Sequence, residues 1–135
     1  MSPARWLRAA GGAALAMGSL DSAWLGLIAR EHYRAQLGHL MSEELSLAPA
    51  LAFYAIYVAA LAFFAIEPAL RARSLPSALA RGAFFGLAAY AAFDLTGLAL
   101  LRDFPLGIAL LDLAWGSALS ATAAAAGYAA ARGRG

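Results

Sequence analysis

Three aspartates stand inside otherwise apolar stretches of this sequence: Asp21, Asp94 and Asp112. A carboxyl group in such surroundings can bind a cation, hold or pass a proton, or anchor a polar ligand. Their neighbours recur at helical spacing. Leu-Asp-Ser-Ala-Trp at 20–24 returns as Leu-Asp-Leu-Ala-Trp at 111–115, so Asp21 and Trp24, like Asp112 and Trp115, are i,i+3 partners on one helix face. Gly82, Gly86, Tyr90 and Asp94 follow an i,i+4 row, and Asp112, Gly116 and Ser120 follow another. Small residues beside an aspartate let two helices approach closely there. Tyr54 and Tyr57, one turn apart, belong to a stretch with no charge at all.

The elements that position these residues follow from composition. The chain has 135 residues, 63% hydrophobic and 13% charged, with a mean hydropathy of +0.69. A soluble domain carries about 45–50% apolar and about 25% charged residues, so the expected solvent is a bilayer. Ten arginines, no lysine and a net charge of +2 are scattered without a basic patch, which excludes a nucleic-acid partner. With no cysteine there is no disulfide, thiol chemistry or Cys-based zinc site.

Crossing a bilayer takes about 20 apolar residues. Four stretches qualify: Ala9–Ala29, Leu45–Ile66, Gly82–Leu101 and Phe104–Ala131. Alanine abundance and the lack of alternation make them helices. Pro49, Pro68, Pro76 and Pro105 fall at or near their ends, where proline is tolerated. The first stretch is too long for the core of a cleaved signal peptide and is read as a retained span. Short connections favour an all-α, up-down-up-down bundle in a single membrane domain over residues 1–135. With the N-terminus inside, Arg5, Arg8, Arg71, Arg73, Arg81, Arg132 and Arg134 are cytoplasmic, and Arg30, Arg34 and Arg102 are external. That bias sets both termini inside, with Trp6 and Tyr128 as interfacial aromatics. The segment Arg30–Glu44 is then an external loop.

At about 1.5 Å per residue, each aspartate lies roughly 12–14 Å below the outer boundary. The three carboxyls therefore share one layer, with Tyr54 and Tyr57 at a similar depth. Three anions in a low dielectric do not all stay ionised unpaired. Arg30 or Arg102 reaching down, protons, a cation or a polar ligand must balance them. The candidate ligand-binding set is Asp21, Asp94, Asp112, Trp24, Trp115, Tyr54, Tyr57, Tyr90, Thr96 and Arg30.

The lead expectation is a multi-pass inner-membrane protein whose outer-half pocket binds or conducts a cation, proton or small amphipathic ligand. Membrane lipids are its surroundings, and so narrow a bundle would need homo-oligomers for transport. One alternative is an enzyme or enzyme subunit acting on lipid or isoprenoid substrates, through acid–base work by paired carboxylates. Another is a structural subunit in which aspartates hydrogen-bond Trp, Tyr or Thr96 across helices. No P-loop, dinucleotide fingerprint, nucleophile elbow or HExxH occurs, and His32 and His39, seven apart, match no metal motif. No cofactor or catalytic residue is expected. The phenylalanines Phe53, Phe63, Phe64, Phe84, Phe85 and Phe93 are read as lipid-facing or packing residues.

The stretches LDSAWLGLIAREHYRAQLGHLM (20–41), FYAIYVAALAFFAIEPAL (53–70), GAFFGLAAYAAFDLTGLALLRDFP (82–105) and LDLAWGS (111–117) resemble a family of small bacterial membrane proteins catalogued as domain of unknown function 2177. The resemblance implies a four-helix inner-membrane protein and supplies no catalytic role. The family pattern reads Asp-Leu-Thr-Asn-Leu where this chain has Asp94-Leu95-Thr96-Gly97-Leu98.

Overall fold

A computed structural model describes residues 2–28, 30–40 and 46–132. The fold is all-α. Helix α1 spans Pro3–Ala23 and runs on through a wide π-helical turn at Trp24–Ile28. Ser2 caps it by accepting the Arg5 backbone N–H at 3.2 Å, and Pro3 occupies the first turn, where its missing N–H costs nothing. Helix α2 covers Arg30–Leu37 and ends in a 3₁₀ turn at Gly38–Leu40. Helix α3 (Leu47–Leu61), a second π-helical turn (Ala62–Ile66) and α4 (Glu67–Ala72) follow one another directly. Helix α5 covers Leu75–Leu100 and α6 covers Leu106–Ala131.

Three segments are long and apolar enough to cross a membrane among the described residues: Leu47–Ala72, Leu75–Leu100 and Leu106–Ala131. Two of the expected span limits move. The second span continues six residues past Ile66, through Pro68. Proline cannot donate to the carbonyl four residues back, and the π-helical turn before it re-registers the backbone bonds where that donor is missing. The third begins at Leu75 rather than Gly82, because Ser74 caps the helix by accepting from the Ser77 N–H at 3.1 Å and Pro76 fits the first turn. Arg30–Leu37 is helical rather than loop, with Glu31 in its first turn and Arg34 in its last, the signs the helix dipole favours. Residues 29 and 41–45, at the limits of the first two expected spans, lie outside the described residues, as does Arg134.

Between α4 and α5 the chain reverses in two residues. Arg73 takes a left-handed conformation (φ 52°). The Ser74 N–H bonds to Ala69 O at 3.1 Å and the Arg73 N–H to Leu70 O at 3.2 Å, the paired bonds of a Schellman ending.

Helices α5 and α6 make the closest seam. A Cβ added at Gly82 would lie 2.6 Å from Ser120 O, and one at Gly86 would strike Gly116 O. The Tyr90 ring rests on Gly116. Gly82 and Gly86 therefore pack inside the chain, as their row with Asp94 suggested. Helix α1 lies antiparallel along α6: Arg5 Nε donates to Ala131 O at 3.1 Å at one end, and Asp21 meets Trp115 at the other. Gly127 sits where α6 touches both Ala9 and Ile66, so α3–α4 and α1 close on the same ridge of α6. Ala9, Ala13, Met17, Leu61, Ala62, Ala65, Ile66, Ala123 and Ala124 fill the centre. Outside it, Leu15 (75% exposed), Phe84 (72%) and Leu100 (77%) face away from the protein. Apolar exposure on that scale is rare on soluble monomers and ordinary against lipid. Tyr128, three residues from the end of α6, packs in the core.

Candidate functional site

The three aspartates Asp21, Asp94 and Asp112 separate into one single group and one pair. Asp21, at the end of α1, is saturated by two neighbouring helices. Its Oδ2 accepts the Tyr54 hydroxyl from α3, and its Oδ1 accepts the Trp115 indole N–H from α6 at 3.0 Å. The bonded tryptophan is not its own i,i+3 neighbour. Trp24 lies flat on Trp115 instead, with ring centroids 4.4 Å apart and planes 7° apart. The two copies of the Leu-Asp-x-Ala-Trp sequence thus meet through their tryptophans. One carboxylate, one phenol and one indole join α1, α3 and α6.

Asp94 is different. It is fully buried in the C-terminal half of α5. No N–H or hydroxyl donor among the described residues reaches either of its carboxyl oxygens. What faces it is the carboxyl of Asp112, within hydrogen-bonding reach from α6. Two carboxyl groups can bond only if one of them carries a proton, since an ionised carboxylate has no donor. A pair that shares one proton bears a single negative charge. Asp112 also lines a cavity of about 360 Å³ together with Phe53, Ala89, Tyr90 and Phe93.

Below the pair, Tyr57 is buried and its hydroxyl bonds with that of Ser120. The Tyr57 ring meets Tyr90 edge-on at 6.4 Å and Phe85 at 5.3 Å. Tyr90 packs against Gly116, one turn along α6 from Asp112. Tyr54, Tyr57, Tyr90, Trp115 and Trp24 therefore all lie in the region between the single aspartate and the pair. Two expected members do not. Thr96 is exposed on the far side of α5, since two residues turn a helix by about 200° from Asp94. Arg30 is exposed at the start of α2, beyond the π-helical turn. Three residues were missed: Ser120, Phe53 and Phe93. Ser120 was visible in the Asp112–Gly116–Ser120 row, and Phe93 lies one turn from Tyr90, but Phe53 carries no such signal.

Gly97 stands where the resemblance drawn from the sequence expects an asparagine. A Cβ there would lie 2.9 Å from the Phe104 ring. Phe104 in turn meets Phe93 edge-on at 5.6 Å. An aromatic ring folded back from the α5–α6 connection thus fills the space beside Gly97. Across the mouth of this region, the Gln36 amide of α2 lies beside Gly107 at the start of α6.

The family model described as "Predicted membrane protein (DUF2177)" matches residues 6–129. Comparison with curated proteins and with solved structures gave no match.

Proposed function

Because the chain belongs to this family of predicted membrane proteins, we propose that it is a multi-pass protein of the bacterial inner membrane that binds a cation, or holds an exchangeable proton, at the Asp94–Asp112 pair. In this reading α1 is the fourth span, the helices alternate in direction, and both termini are cytoplasmic. The antiparallel course of α1 along α6 and the arginines Arg5, Arg8, Arg71, Arg73, Arg81 and Arg132 support it. A paired, singly charged site in low dielectric attracts a positive charge strongly.

The observation that carries the reading is Asp94: wholly buried, without a protein N–H or hydroxyl donor, and set against a second carboxyl that opens on a cavity. Asp21 has the structural role. Its two bonds, to Tyr54 and Trp115, are what helix-joining polar contacts in membranes look like.

Dicyclohexylcarbodiimide, which reacts with protonated carboxyls from the lipid side, tests this on the reconstituted chain. Label is expected at Asp94 or Asp112, slowed by one of Na⁺, K⁺ or tetramethylammonium, and unaffected by Asp21→Asn. Label at Asp21 alone, or labelling that no cation slows, would overturn the reading.

A further inference from the structure

Arg81 carries a charge into α5, a helix long and apolar enough to cross a membrane. It is six positions past Leu75, about 9 Å from the helix start. Its side chain turns back towards that start, and its Nε donates to the Ser77 hydroxyl at 3.1 Å. Ser77 is itself held, because its N–H bonds to the Ser74 cap. The guanidinium therefore stands near the level of Ser77, about 3 Å from the helix start. The 26 residues of α5 measure about 39 Å, against a hydrocarbon core of about 30 Å. Each end of the helix thus reaches the headgroup layer, and the guanidinium lies at the depth of lipid phosphates. No carboxylate among the described residues pairs with Arg81. Glu67, in the preceding helix, is engaged by Arg71 at 3.7 Å.

Deeper along the same face, Arg81 borders a groove of about 320 Å³ walled by Phe64, Phe84, Phe85 and Ala88. The π-helical turn ahead of Pro68 carries Phe64, whose ring lies nearly parallel to that of Phe85, with centroids 6.0 Å apart. Phe64 and Phe84 are 57% and 72% exposed. From Arg81 to Ala88 the groove follows α5 for about 10 Å towards the bilayer centre. A fixed cation at phosphate depth with an aromatic furrow beneath it matches one kind of molecule.

We infer that this groove holds one anionic phospholipid of the surrounding membrane, its phosphate on Arg81 and one acyl chain against Phe64, Phe84 and Phe85. With Nε fixed on Ser77, the terminal N–H groups of the guanidinium remain as a fork for two phosphate oxygens. Fixing the side chain beforehand lowers the entropy lost on binding. A net-negative headgroup is preferred to a zwitterionic one, which brings an ammonium close to the arginine. Free phosphate makes only the headgroup contact and gives up its water for it. This inference does not depend on the Asp94–Asp112 reading.

The test is native mass spectrometry of the full chain in detergent, titrated with dioleoyl phosphatidylglycerol or dioleoyl phosphatidylcholine. The first phosphatidylglycerol is expected to bind about fivefold tighter than the first phosphatidylcholine, the contribution of one arginine near a lipid surface. Arg81→Gln is expected to bring that ratio to about one, whereas Arg73→Gln, in the preceding turn, leaves the preference in place. Each ratio compares two lipids on one protein, so general misfolding would not mimic this contrast. Phe64→Ala is expected to weaken both lipids severalfold and to leave their ratio unchanged. No preference in the parent chain, or equal losses in Arg81→Gln and Arg73→Gln, would overturn the assignment. So would displacement of the bound lipid by inorganic phosphate, which would make the site one for a free anion.

Discussion

The Trp115 indole N–H donates to Asp21 across 3.0 Å, linking the end of α1 to the third turn of α6, while Trp24 stacks on the same indole. Hydrogen bonds between membrane helices average about 0.6 kcal/mol and reach about 1.7. Asp21→Leu removes the acceptor for both Tyr54 and Trp115, so a loss of about 1–3 kcal/mol is expected. Asp21→Asn retains an amide oxygen and should lose less than about 1 kcal/mol. Reversible unfolding in mixed micelles measures both. The near-ultraviolet circular dichroism of the stacked indoles should collapse in Asp21→Leu and persist in Asp21→Asn.

Gly86→Ala tests the α5–α6 seam. Its methyl group meets the Gly116 carbonyl and the Ser120 side chain, so the backbones have to part. A destabilisation of about 1–3 kcal/mol is expected, the usual cost of overpacking. Leu87→Ala, one residue on and exposed, should stay within about 0.5 kcal/mol of the parent. Equal effects of the two substitutions would mean that the seam is not tight.

Gly97→Asn puts a side chain into space that the Phe104 ring fills. Alone it should destabilise the α5–α6 connection, because the ring has to swing away from Phe93. Gly97→Asn with Phe104→Ala should recover much of the loss. The coupling in this double-mutant cycle is expected at about 0.5–3 kcal/mol, as for residues in direct contact. Additive effects would show that the two positions do not share the space.

Arg73 holds a left-handed conformation in the turn between α4 and α5 without glycine's freedom. Such a conformation costs an ordinary residue about 1–2 kcal/mol. Arg73→Gly should therefore raise the unfolding free energy by up to about 1 kcal/mol, after the flexibility glycine adds to the unfolded chain. A decrease would mean that the arginine side chain makes a contact worth more than the strain.

Much of the site was legible in the sequence, because depth along a helix is simple arithmetic. Counting residues from a boundary gives each aspartate a depth, and the i,i+4 rows set Gly86, Tyr90 and Gly116 on the α5–α6 seam. Direction around the bundle was harder. Depth alone cannot say that Asp94 meets Asp112 while Asp21 turns to Tyr54 and Trp115, since this depends on how three helices rotate against one another. Thr96 shows the difference: close to Asp94 along the chain, it lies on the opposite face. Arg30 fell outside because it begins a separate helix beyond the π-helical turn. The span limits moved at Pro68 and Pro76, where a π-helical turn and a first-turn position absorb the residues that usually stop a helix. Phe53 reaches the cavity from a charge-free helix whose pattern marks no face.

The central proposal is that Asp94 and Asp112 share a proton as one unit, whereas Asp21 serves as a hydrogen-bonded tie between helices. Infrared spectroscopy of the reconstituted chain, with isotope-labelled aspartate, measures this most directly. A hydrogen-bonded carboxylic acid C=O stretch that shifts in D₂O is expected. It should vanish from its position in Asp94→Asn and in Asp112→Asn alike and stay unchanged in Asp21→Asn. A band that survives both substitutions, or one that responds only to Asp21→Asn, would contradict the account.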